Sequence, residues 1–352
     1  MADLRRPSRE FWRGRRVLLT GHTGFKGTWL ALILSRLGAQ VVGLALEPPS
    51  GPSLYRLLAG MLAVEHHAVD LRDPPRVDAL IRHARVSVVL HLAGQASVPD
   101  GYRDPAGTFA TNLGGTIQVL EAMRQMPDLA AAVLVTTDKV YRNLGTGRRF
   151  REDDPLGGHD PYSASKAAAE VAIESWRASF PTQLPPLAAA RAGNVIGGGD
   201  FAPDRLVPDI VRALDGSQPL VLRHPHATRP WQHVLDVVAG YLLLAEDLAA
   251  GQAMPAAFNF GPSEESELAV TEIITAFERA FDTPLPWSHV SGAPPEASRL
   301  ALDSTRARQS LGWQPRMDRA TMIRATADWY AAWRRGDDMP ARCERDVAEA
   351  LA

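Results

Sequence analysis

The stretch RRVLLTGHTGFKGTWLAL, residues 15 to 32, joins a short apolar run to a helical pattern through Gly21, Gly24 and Gly27. RVLLT (16 to 20) has the length and composition of a buried strand, and TWLALILSRLGA (28 to 39) carries apolar residues at helical spacing. Glycines between such elements permit a tight turn and a close backbone approach. A pyrophosphate can then rest on the helix N-terminus, where free N–H groups and the helix dipole favour negative charge. The alternative is a turn of purely structural use.

Working outward, the pattern repeats. Strands are expected at 40–46, 86–93, 131–137 and 187–197, and helices at 77–84, 108–125 and 161–180. Such alternation predicts βαβ units, and right-handed crossovers assemble them into an α/β fold, a doubly wound parallel sheet of the Rossmann type. That domain is expected over 11–197. From residue 198 the texture becomes rich in Pro, His, Arg and Trp, which predicts a smaller mixed α/β substrate lobe over 198–335. The lobe is discontinuous, because the apolar helix pattern at 233–248 returns the chain to the main domain near 233–262.

At 352 residues and 45% hydrophobic content the chain can bury one large core and a lesser one. A formal charge of −2 provides no basic field, so nucleic acid is not an expected partner. Cys343 is the single cysteine, which excludes an intrachain disulfide and a cysteine-based zinc site and fits a reducing, cytoplasmic location. No run approaches the roughly 18 apolar residues of a spanning helix, so no membrane partner is expected. No metal site is expected either.

Two constellations carry chemistry. Tyr162 and Lys166, in YSASK, lie four apart at the start of a helix and share a face. A phenol titrates near about 10, and a neighbouring ammonium is expected to bring it towards neutrality. Such a pair can deprotonate a sugar hydroxyl while hydride leaves for nicotinamide; a solvated helix face is the bland alternative. In VLVTTDKVYRN (133 to 143), Asp138 and Lys139 follow a strand ending in Thr137. An ordinary oxidoreductase needs only the Thr, Tyr and Lys of the first set. Asp138 would have to be protonated and Lys139 neutral to act directly as acid and base, and a close ion pair between them would oppose both shifts. Glu47 stands where a dinucleotide fold places its ribose-binding acid, and equally fits a solvated loop; no arginine adjoins it, which favours NAD over NADP. Asp70 is either an adenine contact or a helix N-cap.

TGHTGFKG, HLAGQ, TNLGGT, TTDKVY and YSASK occur in that order and resemble the extended short-chain dehydrogenase/reductase superfamily. GHTGFKGTWL, LEPPSGPSLY, DPLGGHDPYSASKAAAE, ARAGNVIGGGDFAPDRLVPDI and HPHATRPWQHV are similar to the nucleotide-sugar 4,6-dehydratases, and within them to the branch acting on CDP-glucose. The likeness runs from about residue 11 to LGWQP at 311–315. It implies NAD as cofactor, a nucleotide-sugar substrate with CDP-glucose foremost, a place in deoxysugar biosynthesis, and a homodimer or homotetramer paired through the helices at 108–125 and 161–180. Thr137, Tyr162 and Lys166 would oxidise C4, while Asp138 and Lys139 would eliminate water across C5 and C6. The cofactor set would extend to Phe25, Leu71 and Ala93, and Gln95, Asn194, Arg205, Arg229 and Arg299 would contact the sugar nucleotide. Trp231 would stack a base or fill the core. Val140 stands where that branch usually has Cys, and QASVPDGY (95–102) and NLGTGRRFRE (143–152) depart from its pattern near the expected sugar pocket. A 4-epimerase or reductase of the same superfamily, and a silent NAD-binding scaffold, are the rival readings.

Overall fold

The computed structural model describes residues 4–216, 218–292 and 296–352. Its centre is a seven-stranded parallel sheet of β1 (Arg16–Thr20), β2 (Gln40–Ala45), β3 (Val64–Ala68), β4 (Val88–His91), β5 (Ala131–Val135), β6 (Leu187–Ala192) and β7 (Ala257–Phe260). The spatial order is β7-β6-β5-β4-β1-β2-β3. Successive side chains on a strand face opposite ways, so a sheet covered on both sides needs apolar residues at every position. Val17, Leu19, Val88 and Leu90 enter one core, whereas Leu18 and Val89 enter the other.

Helices α1 (Phe25–Arg36), α2 (Pro74–His83), α3 (Gly115–Met123), α4 (Pro161–Ser179), α5 (Leu206–Leu214) and α6 (Val234–Ala249) complete the layers. Helices α1 and α6 pack in the first core, and α2 and α3 in the second. Strand order reverses between β1 and β4, which leaves a crevice at the carboxyl ends of those strands.

Three departures from the expected elements have physical causes. Strand β3, Val-Glu-His-His-Ala, lacks an apolar alternation because it is a sheet edge, and it went unanticipated. The expected helix at 108–125 is interrupted: Pro105–Phe109 leads into a π-turn at Ala110–Gly114 before α3 begins. The turn carries Asn112, whose side chain accepts from Gln95 N at 2.8 Å and donates to Gln95 O at 3.0 Å and to Ser165 Oγ at 2.9 Å. Helices α7 (Val270–Phe281), α8 (Arg319–Arg335) and α9 (Met339–Leu351) were also not foreseen. Trp329 of α8 fills the space beside Gly198, and Tyr330 donates its hydroxyl to Asp200 O, so the loop after β6 is fixed from the C-terminal end of the chain. Among the described residues no helix is long and apolar enough to cross a membrane, and no cluster of His, Cys, Asp or Glu fits a metal ion.

Several histidines are sealed in this core. His91 bonds Thr20 Oγ1 at 2.7 Å and Thr116 Oγ1 at 3.2 Å, and burial pulls it down to about 3. A folded-state value below the unfolded one means that the unfolded chain takes up more protons as pH falls. The stability gained from neutral His91 is therefore complete above about pH 6.5 and is lost as pH drops towards 3. In denaturant titrations between pH 7 and pH 4, His91→Asn is expected to flatten the fall in unfolding free energy by up to about 1.4 kcal/mol per pH unit. Parallel curves would remove His91 from the acid sensitivity.

Candidate active site

The crevice opens into a cleft of about 880 Å³. Its floor begins with the turn after β1. Gly21 has φ +76°, and a Cβ there would lie 2.8 Å from Ala93 N, so the two strand ends approach too closely for any side chain. A Cβ on Gly27 would strike the Gly21 carbonyl oxygen, which seats α1 directly on the turn. Gly24 differs: it N-caps α1 without a side-chain bond, and a Cβ there would meet only Gly21 O, at 3.3 Å. An uncapped helix N-terminus with open space above it suits a phosphate group. Phe25, Asp70, Leu71 and Ala93 line the same part of the cleft.

Asp70 is tied to Arg72 at 2.6 Å, which holds its carboxyl below the ordinary value. The cap of α2 is Asp73, so the N-cap reading of Asp70 falls away. Arg72 also lines the cleft, an arginine that the sequence argument about Glu47 did not weigh. Glu47 itself lies outside the lining, 72% exposed, with an oxygen 3.6 Å from His66 Nε2.

Opposite this cradle, β5 runs out into Thr136 and a short 3₁₀ turn, Asp138–Val140, capped by Thr137. Thr137 Oγ1 donates to Asp138 Oδ1 at 3.1 Å. Asp138 is 2% exposed, and among the described residues its Oδ2 has no hydrogen-bond partner. Burial pushes this carboxyl above its ordinary value, against the pull of Lys139, Thr137, Arg229 and Lys26. Lys139 reaches Glu296, its Nζ 3.5 Å from Oε2, and Glu296 also receives Arg229 at 3.1 Å. The feared ion pair between neighbours in sequence is thus replaced by one across the cleft.

Helix α4, opened by the Asp160 cap and Pro161, presents Tyr162 and Lys166 to the cleft. Lys166 Nζ donates to Val135 O at 3.4 Å, and burial pulls the ammonium down to about 8 with Glu170 opposing. A Cβ on Gly94 would lie 2.9 Å from that nitrogen. The expected lowering of the Tyr162 phenol is not found: burial pushes it up to about 12, and the opposing hydrogen bond comes from Thr137. The solvated-face alternative is excluded, since both side chains are buried.

On the substrate side Asn194, Arg205 and Arg229 line the cleft. Arg205 is paired with Asp200 at 3.3 Å. Arg229 is 4% exposed and also donates to Ala297 O at 2.7 Å. Gln95 borders the cleft, but its amide is committed to the local loop, donating to Ser97 O at 2.8 Å and accepting from Ser97 N at 2.7 Å. Arg299 is outside the lining and turns to Glu267 at 2.9 Å. Trp231 is 3% exposed, donates its indole N–H to Leu268 O and packs in the core, where it also borders the cleft.

Sequence reasoning missed two charged groups. Lys26 lines the cleft, and burial pulls it down to about 8, with Arg205 adding to the effect and Asp138 opposing it. Its signal was a lysine in the first turn of an otherwise apolar helix. Glu296 had no local signal, because only the fold brings it to Lys139.

Residues 18–326 match the GDP-mannose 4,6-dehydratase family. The chain is 38% identical to CDP-glucose 4,6-dehydratase of Salmonella typhimurium, with 98% of each chain covered. It is 29% identical to dTDP-glucose 4,6-dehydratase of Neisseria gonorrhoeae over 90% of this chain and 95% of the relative. Among solved structures, UDP-glucose 4-epimerase of Stenotrophomonas maltophila, with bound NAD and formylated UDP-arabinopyranose, superposes at a TM-score of 0.80 and 25% identity, covering 92% of this chain and 99% of that one. A dTDP-glucose 4,6-dehydratase from Streptomyces venezuelae shares the fold at a TM-score of 0.79 and 24% identity, covering 92% and 98%.

The two glycines make separable predictions. Gly24→Leu is expected to weaken NAD binding by about tenfold or more in titration calorimetry while leaving the melting temperature nearly unchanged, because the added side chain enters the cleft. Gly27→Ala is expected to destabilise the fold by about 1–3 kcal/mol, since α1 has to move off the turn. Wild-type NAD affinity in Gly24→Leu would move the pyrophosphate elsewhere.

Proposed function

The chain belongs to the GDP-mannose 4,6-dehydratase family and is a nucleotide-sugar 4,6-dehydratase; we propose that CDP-glucose is its substrate, CDP-4-keto-6-deoxyglucose its product and NAD its cofactor. The observation that carries this reading is Asp138, an acid beyond the needs of oxidation, buried beside Thr137 with one oxygen that has no hydrogen-bond partner among the described residues. The choice of CDP-glucose rests on the 38% identity over nearly the whole chain to a CDP-glucose enzyme, against 29% to a dTDP-glucose one.

The Gly21–Gly27 turn would hold the NAD pyrophosphate, with Asp70 and Leu71 beside the adenosine. When bound, NAD supplies the acceptor for hydride from C4 and the donor for its return to C6. Tyr162 gives its own phenolic proton to the neutral amine of Lys166 and then, as phenolate, takes the proton from the C4 hydroxyl; Thr137 holds that oxygen, and the charged Lys166 steadies the phenolate. Once C4 is a carbonyl, the C5 hydrogen is acidic. Lys139 accepts it as the free amine, having released its extra proton to solvent, and the Glu296 carboxylate, 3.5 Å away, holds the nitrogen in place. Asp138, pushed towards its protonated form by burial, is the group placed to donate to the C6 hydroxyl, which leaves as water. Asn194, Arg205 and Arg229 would meet the sugar nucleotide, the arginines exchanging carboxylates for diphosphate oxygens.

The lobe over 198–335 is then the nucleotide-sugar half of the protein. A cytoplasmic location and a homodimer or homotetramer complete the reading. Phe109 and Val171, 36% and 59% exposed on the helices expected to pair, offer the apolar surface.

Incubation with a panel of nucleotide-hexoses, followed by mass spectrometry, is expected to show loss of one water from CDP-glucose without net consumption of NAD. A stoichiometric redox change would indicate a reductase, and an isobaric product a 4-epimerase. Tyr162→Phe is expected to lower turnover by about 100- to 10,000-fold with NAD binding kept. Asp138→Asn is expected to accumulate the 4-keto hexose; formation of the 6-deoxy product at the wild-type rate would remove Asp138 from the elimination.

A further inference from the structure

Behind the cleft, and making no use of it, lies a buried charge network. Arg191 of β6 is 4% exposed and Glu170 of α4 is 3% exposed. Arg191 Nε donates to Glu170 Oε1 at 2.9 Å and to Oε2 at 2.8 Å. Glu170 stands one helical turn beyond Lys166, on the helix that carries Tyr162. Its Oε1 also accepts from Thr136 Oγ1. From the other side of the guanidinium, Arg191 Nη1 donates to Tyr141 Oη at 2.8 Å, and that hydroxyl donates to Asn259 Oδ1 at 2.6 Å. Tyr141 is further held by stacking on Phe150, with ring centroids 4.9 Å apart.

Thr136 and Tyr141 bracket Thr137, Asp138 and Lys139. Strand β5 has ended at Val135, and beyond it the backbone is tied at only a few points: Thr136 N donates to Ala190 O at 2.9 Å, Val140 O accepts from Gly157 N at 2.8 Å, and Tyr141 makes an isolated bridge to Leu156, with the short turn Asp138–Val140 between them. To these backbone bonds the side chains at the two ends add a single shared ion pair, Thr136 bonding the carboxylate and Tyr141 the guanidinium. Burying such a pair is unfavourable unless its geometry is good and its other polar atoms are satisfied, and apolar side chains of equal volume would stabilise the core as well. What apolar side chains would not supply is direction. Resting on the dehydratase reading above, we propose that Arg191 and Glu170 are positioning residues for the elimination step: they lock the segment 136–141 against the Tyr162–Lys166 helix and so fix where Asp138 and Lys139 stand relative to the oxidised carbon.

The inference separates the two chemical steps. The phenol and Lys166 sit on a helix with its own hydrogen bonds and cap; within the segment Thr137 stays next to the Thr136–Ala190 backbone bond at the end of β5, whereas Asp138 and Lys139 lie towards the Tyr141 end. Loosening the far end of the segment therefore disturbs elimination more than oxidation, and displacements near 1 Å at a reacting group are worth about 100-fold in rate.

Tyr141→Phe removes the hydroxyl that Arg191 grips and keeps the stacked ring; Thr136→Val tests the other end, with Thr136→Ser as the conservative control. Hydrogen–deuterium exchange of the 136–143 peptide, read on the protein without substrate, is expected to quicken by about tenfold or more in Tyr141→Phe and in Thr136→Val, and to return towards wild type in Thr136→Ser. With CDP-glucose, Tyr141→Phe is expected to slow water loss by about 10- to 100-fold, while single-turnover NADH formation and KM stay within about threefold. Unchanged exchange in both variants, or equal slowing of NADH formation and water loss, would overturn the inference. A wild-type protein that dehydrates no nucleotide-hexose would overturn the functional reading instead, and the exchange measurement would still decide whether the ion pair holds the segment.

Discussion

Asp138 sits just beyond the end of β5 with one oxygen bonded to Thr137 and the other unpartnered among the described residues, in a site from which water is almost excluded. A carboxyl so placed is driven towards its neutral form, because nothing in the immediate shell replaces the hydration of a full negative charge. In the elimination proposed above, the acid role of Asp138 depends on that withdrawal from water. The same exclusion lowers Lys166 and Lys26 to about 8, so both ammonium groups give up a proton far more readily than they would in water.

The fold arranges this withdrawal through close backbone approaches. Strands β1 and β4 meet at Gly21 and Ala93, α1 lands on Gly21 through Gly27, and Gly94 leaves room for Lys166. From the lobe side, Gly193 lies so near Asp138 that a Cβ there would stand 3.0 Å from Oδ2. The C-terminal helices take part at a distance: Trp329 and Tyr330 hold the loop containing Asp200, and Asp200 holds Arg205. A cleft residue near position 205 is thus oriented by packing contributed more than a hundred residues later.

Much of this was legible before any coordinates. Strands whose both faces are buried read as unbroken apolar runs, and β1, β2, β4, β5 and β6 were found for that reason. The Tyr162–Lys166 spacing and the glycine turn are local patterns, and they locate most of the cleft. Edge strand β3 was not legible, because one-sided burial lets Glu65, His66 and His67 occupy it. Glu47 and Arg299 were placed by analogy of position, and the structure turns them towards His66 and Glu267 instead. The family resemblance points Gln95 at the sugar nucleotide, yet Ser97 and Thr108 engage its amide. Glu296 and the Arg191–Glu170 pair belong to long-range contacts, which leave no periodicity to detect.

The arrangement also explains why acid and base are adjacent in sequence without cancelling each other. If Lys139 lay against Asp138 as a tight ion pair, each charge would stabilise the other, and the acid would lose its proton just where the elimination needs it. Turning Lys139 outward to Glu296 leaves only a longer-range pull on Asp138, which burial outweighs. Glu296 in turn is kept below its ordinary value despite burial, because Lys139, Arg229 and Arg223 surround it. One carboxyl is therefore pushed towards the protonated form and another towards the anion within a single cleft; both feel Lys139 and Arg229, but Glu296 is in direct contact with them while Asp138 is not among their ion-pair partners and is more deeply buried. Dehydration demands that asymmetry, since it takes a proton from one carbon while giving another to the oxygen that departs from its neighbour.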